Sequence, residues 1–77
     1  MNYKERYEYA RNTGSGANWK HRKTGKTVIV LGRIGLIGIQ LLHQSGKRTV
    51  KLQHYLASDY EPIIKENEDG SKYQKTQ

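Results

Sequence analysis

Between Asn18 and Gln53 the chain alternates short apolar or β-branched runs with polar steps that each carry glycine. The runs are "NWKHR" at 18–22, "TVIVL" at 27–31, "LIGIQLLH" at 36–43 and "RTVKLQ" at 48–53. "KTGK", "GRIG" and "QSGK" separate them. Runs of this length and composition between turn residues predict four strands in a meander. "HYLASDY" then fits one short helical turn, and "EPII" a short closing strand with Pro62 at a sheet edge. Upstream, Tyr3, Tyr7 and Ala10 stand at i, i+4 and i+7, the spacing of a short amphipathic helix. "RNTGSGAN" reads as a flexible linker after it. From Lys65 onward "KENEDGSKYQKTQ" is polar and aperiodic, as a disordered tail is.

Alternation assigns the strand faces. Gln40 marks an outward position, which puts Ile37, Ile39 and Leu41 inward, with Val28, Val30, Val50 and Leu52 opposite them. Ile29, Leu31 and Leu36 fall on the other face, where each would forgo about 1.5 to 3 kcal/mol of burial if left in water. The Tyr3/Tyr7 helix is the nearest cover for them, and a second copy of the chain in a homodimer is the next. Gly35 belongs to a tight turn, and Gly38 inside a strand marks a bulge or barrel corner.

Charge changes this picture from a fold to a kind of surface. The 77 residues carry a net +7, and residues 17–55 hold eight cations without one carboxylate. They are Lys20, Arg22, Lys23, Lys26, Arg33, Lys47, Arg48 and Lys51. Solvated faces normally mix signs, so a run of this kind points to a polyanionic partner. An internal echo, "HRKTGKTV" at 21–28 and "HQSGKRTV" at 43–50, puts a histidine, a glycine and a lysine at two hairpin turns. Trp19 is a candidate for base stacking, although tryptophan in a domain this small is more often a core lid.

Several chemistries are excluded by spacing. The apolar stretch 28–43 is too short to span a bilayer and has Arg33 within it, and it lies too far along the chain for a signal peptide. "TGKT" at 24–27 resembles the end of a phosphate-binding loop, but Lys20 stands where that loop needs glycine and a strand follows where it needs a helix. "GRIG" lies between strand-like runs and not between the helices of a KH domain. His21, His43 and His54 have no nearby carboxylate to orient them, so no metal and no cofactor are expected. With no cysteine there is no disulfide framework, which suits a cytoplasmic protein. Asp59 and Glu61, two apart at a chain turn, are solvated charges and not a hydrolytic pair.

Four meandering strands, a helical turn and a short last strand resemble small SH3-like barrel proteins of bacteriophages and prophages. The residues that carry the resemblance are Trp19 to Val28, His43 to Thr49 and Tyr55 to Pro62. The resemblance implies an all-β fold, an SH3-like barrel of about five strands over 18–64, after a helix and linker at 1–17 and before a tail at 65–77. It also implies a binding module with no enzymatic activity. The expected function is binding of DNA or RNA through the eight cations, with about 4 to 6 phosphates neutralised. The alternative is a phage effector that grips an acidic host protein through Ile29, Leu31, Leu36 and the basic rim.

Overall fold

In the computed structural model, which describes residues 1–64, helix α1 (Tyr3–Asn12) starts at a capping box. The Asn2 side chain accepts from the Glu5 amide at 2.8 Å, and the Glu5 carboxylate accepts from the Asn2 amide at 3.0 Å. Two otherwise orphaned amides are satisfied together. Strands β1 (Asn18–His21), β2 (Thr27–Ile34), β3 (Gly38–His43) and β4 (Arg48–Leu52) follow, then helix α2 (Gln53–Asp59) and strand β5 (Tyr60–Pro62). All pairings are antiparallel, in the order β4-β3-β2-β1-β5.

The sheet does not close into the expected barrel. β4 and β5 are its two edges, and α2 runs directly from the end of one to the start of the other. The helix fills the gap that strand pairing would have to bridge, burying Leu56 and Ala57. The fold is an open five-stranded sheet with two short helices on one face. Its core joins Trp19, Val28, Val30, Ile39, Leu41 and Tyr60 of the sheet to Ala10 of α1 and to Leu56 and Ala57 of α2.

Three sequence expectations about the faces are corrected. Val50 pairs with Gln40 and Leu52 with Gly38, so both lie on the open face and are exposed, not inward. Ile37 precedes β3 in a turn and is exposed as well. The α1 helix covers the Val28/Val30 face, because Ala10 and Tyr7 pack there, and it leaves the Ile29 face open. The bulge lies in β2: the pairing slips between Val30 and Gly32, and Leu31 is the extra residue. Gly38 answers a different need, since a Cβ there would stand 2.5 Å from the Ile34 carbonyl oxygen. The strand β2 runs through Gly32 to Ile34, and the turn begins at Gly35, whose φ of +66° favours glycine. The tail at 65–77 lies outside the described residues.

Candidate polyanion-binding site

Val28 pairs with His43, which brings the β1–β2 turn and the β3–β4 turn to the same end of the sheet. The two turns are built alike, except that the first holds one residue more. In the first, His21 donates its amide to the Lys26 carbonyl at 2.8 Å, and Gly25 donates to the His21 carbonyl at 2.9 Å. In the second, His43 donates to Lys47 at 2.8 Å and Gly46 to His43 at 2.9 Å. Gly25 and Gly46 have φ of +78° and +92°, the left-handed step that turns the chain back just before Lys26 and Lys47. The echo in the sequence is this repeated turn.

Side chains join the two tips. Gln44 Nε2 donates to Thr27 Oγ1 at 2.9 Å, across the boundary between the hairpins. His43 Nε2 lies 2.7 Å from Thr49 Oγ1, and His21 Nδ1 accepts from the Lys23 and Thr24 amides at 3.2 and 3.3 Å. Both histidines thus brace the turns. His54 packs on Tyr55, with ring centroids 4.3 Å apart, away from the other two. Between the tips lies a cleft of about 490 Å³ lined by Lys26, Thr27, His43, Gln44, Ser45, Lys47 and Thr49. Among the described residues no carboxylate lines it. A neighbouring cleft of about 380 Å³, lined by His21, Arg22, Lys23, Ser58 and Asp59, contains one.

The eight predicted cations divide. Lys23, Lys26, Lys47 and Arg48 sit at the tips, with no carboxylate partner among the described residues. Lys20 faces Glu61 at 3.7 Å and Lys51 faces Asp59 at 3.6 Å. Arg22 donates Nη1 to the Ser58 carbonyl at 3.0 Å. Arg33 lies at the other end of β2, and its guanidinium is spent on the fold. It donates to the carbonyls of Ala10 at 3.0 Å, Thr13 at 3.4 Å and Leu36 at 3.4 Å, and to Gln53 Oε1 at 2.6 Å. These bonds tie Arg33 to the fold at the end of the sheet away from the hairpin tips, so it does not join the other predicted cations there.

Trp19 is 1 % exposed and donates Nε1 to Thr13 Oγ1 at 3.1 Å, so its ring is a core lid and offers no face to a base. Ile29 is 42 % exposed on the open face, Leu36 is 92 % exposed in the β2–β3 turn and Leu31 is half-buried at the bulge. The three do not form one patch. On its face Ile29 has Leu42 directly opposite; Arg48 pairs with Leu42 on β4, and Val50 stands two residues farther along β4, opposite Gln40.

Sequence reasoning passed over Arg6, Gln53 and Gln44. Arg6 is buried in α1 and donates Nε to Ala57 at 2.6 Å and Nη1 to Met1 at 2.8 Å. Gln53 accepts from Arg33 and donates to the Tyr7 hydroxyl at 3.3 Å. Beneath the first tip, Tyr60 meets the His21 ring edge-on at 4.9 Å, and burial, helped by the Asp59 charge, raises its phenol pKa above the ordinary value. Set against known protein families, curated proteins and solved structures, the chain matches none.

Proposed function

We propose that this protein is a non-enzymatic module that binds nucleic acid, DNA or RNA, through phosphate contacts at the tip end of its sheet. The observation that carries the reading is the collection of Lys23, Lys26, Lys47 and Arg48 at two adjacent turns, with Lys26 and Lys47 lining a cleft that has no carboxylate among the described residues. A neighbouring carboxylate offsets part of the charge that Lys20 and Lys51 present; these four cations have no such neighbour within ion-pair distance among the described residues. The one Asn or Gln side chain at the two tips, Gln44, is already bonded to Thr27, so a weak sequence preference is expected. The element order, a meander followed by a helix and a short strand, is one shared with small SH3-like modules that bind without catalysing.

Anisotropy with labelled single- and double-stranded DNA and RNA over a salt series tests this. Four phosphate contacts give a log-log slope of about −3 to −4. Replacing Lys23, Lys26, Lys47 and Arg48 by glutamine flattens it towards zero. A salt-independent signal, or a slope that the fourfold variant leaves unchanged, rejects the proposal.

A second reading has its own observation: the open sheet face carries Ile29 and Val50 at 42 % and 53 % exposure, which phosphate binding does not require. On this reading the basic tips flank an apolar platform for an acidic protein. Pull-down from nuclease-treated bacterial lysate, comparing the native chain with an I29D/V50D variant, separates the two. A stoichiometric protein retained by the native chain and lost with the variant favours the second reading; loss of all partners after nuclease removes it.

A further inference from the structure

The cleft between the hairpin tips has a donor set more specific than a cationic surface. Lys26 and Lys47 bring one ammonium from each hairpin, each on the residue after a left-handed glycine. Two of its hydroxyls already have an oxygen engaged as acceptor. Thr27 Oγ1 takes the Gln44 amide proton at 2.9 Å, and Ser45 Oγ takes the Lys47 backbone amide at 3.4 Å. An engaged hydroxyl oxygen leaves the O–H proton to be offered to a ligand. Thr49 is tied to His43 at 2.7 Å on the far wall. Two lysines and two donor hydroxyls, with no carboxylate in the lining among the described residues, suit an oxyanion better than a metal cation.

Size narrows the choice. A bare tetrahedral oxyanion takes the room of two or three waters, roughly 60 to 90 Å³. The cleft is about 490 Å³, enough for that group and the unit attached to it. We infer that the cleft seats one phosphate group of a nucleotide chain, bridged by the Lys26 and Lys47 ammoniums and hydrogen-bonded by Thr27 and Ser45, with the attached sugar occupying the remaining volume. The inference deepens the nucleic-acid reading and rests on it for the identity of the natural ligand, while the seat itself binds phosphate in any form. Gln44 is its positioning residue: its bond to Thr27 fixes the distance between the two hairpins and directs the Thr27 proton inward.

Amide-resolved NMR titration of the full chain with inorganic phosphate, at ionic strength held constant with chloride, reads the seat directly. Saturable shifts confined to residues 26–27 and 43–49 are expected, with K26Q/K47Q weakening phosphate at least tenfold and Q44A weakening it less while both spectra stay dispersed. Shifts no larger than chloride alone produces, or unchanged by K26Q/K47Q, overturn the seat. Oligonucleotides with and without a 5′-phosphate identify the source. A tenfold preference for the 5′-phosphate assigns a terminal phosphate, and equal affinity with the same cleft shifts assigns an internal one. The two readings fail separately. Oligonucleotide binding with full salt dependence and unmoved cleft amides removes the seat alone, whereas saturable phosphate binding without oligonucleotide binding removes the nucleic-acid reading alone.

Discussion

At one end of the sheet Arg33 reaches across 23 residues to the Ala10 carbonyl and across 20 to Gln53; at the other, Lys26 and Lys47 have no carboxylate partner among the described residues. The same division recurs at the helix ends. The last carbonyls of α2 are taken by Arg6 at Ala57 and by the Arg22 side chain at Ser58 and its amide at Asp59. The C-terminal carbonyls of α1 go to Arg33. A guanidinium has five donors in a rigid fork and can satisfy several carbonyls at once, while an ammonium is a compact, strongly hydrated charge on a flexible stem. Basic residues of one formal charge therefore serve two ends: Arg6, Arg22 and Arg33 close the helix termini, where carbonyls lack partners and the dipole favours a cation, and Lys26 and Lys47 stay in water.

Breaking the arginine side has the larger effect. R33A removes four hydrogen bonds and strands the buried Gln53 oxygen, a loss of about 2 to 3 kcal/mol. At about 4 to 8 °C per kcal/mol for a domain of this size, thermal denaturation shows a Tm lower by about 10 to 20 °C. R6M keeps the packing of the stem but leaves Ala57 without its donor, and costs about 1 to 2 kcal/mol. If either variant melts with the native chain, the clamp role is wrong.

Beneath the lysine tips the fold has its own pH limit. The folded state holds the Tyr60 proton more tightly than the unfolded chain does, so the stability linked to it is complete below the unfolded pKa near 10. It is lost as pH rises through the higher folded value. Denaturant midpoints measured from pH 8 to 11 should fall at the alkaline end, and Y60F should fall less. The smallest change is expected on the lysine side: K26Q/K47Q stays within about 0.5 kcal/mol per site of the native stability. A larger loss would place these lysines among the clamps and sharpen the comparison against its present form.

Much of the architecture could be read from pattern. The N-terminal helix, the four meander strands and the order helix-then-strand at the end all follow from local runs and their turn residues. The phase of alternation did not carry across the hairpins, because Leu31 is an extra residue in β2 and Val50 pairs with Gln40, the residue used to mark the outside. Barrel closure was misread for a related reason: whether two edge strands meet depends on the space α2 occupies, which no local run encodes. The site was half legible. The echo at 21–28 and 43–50 gave both tips, but Arg33 looks like its neighbours in sequence, and only partners 23 and 20 residues away set it apart.

The placement of α1 also implies an order of assembly that amide hydrogen exchange would read. The β2–β3–β4 meander joins near neighbours in the chain, whereas Arg6 meets Ala57 over a separation of 51 residues and Gln53 meets Tyr7 over 46. Contacts that enclose long loops must first offset the entropy of closing them, so they form late and open early. Opening therefore begins where assembly finishes, at the helix pair, while the second hairpin and its register with β2 persist. A molecule partly opened at its helices would still hold Lys26 and Lys47 across the same cleft.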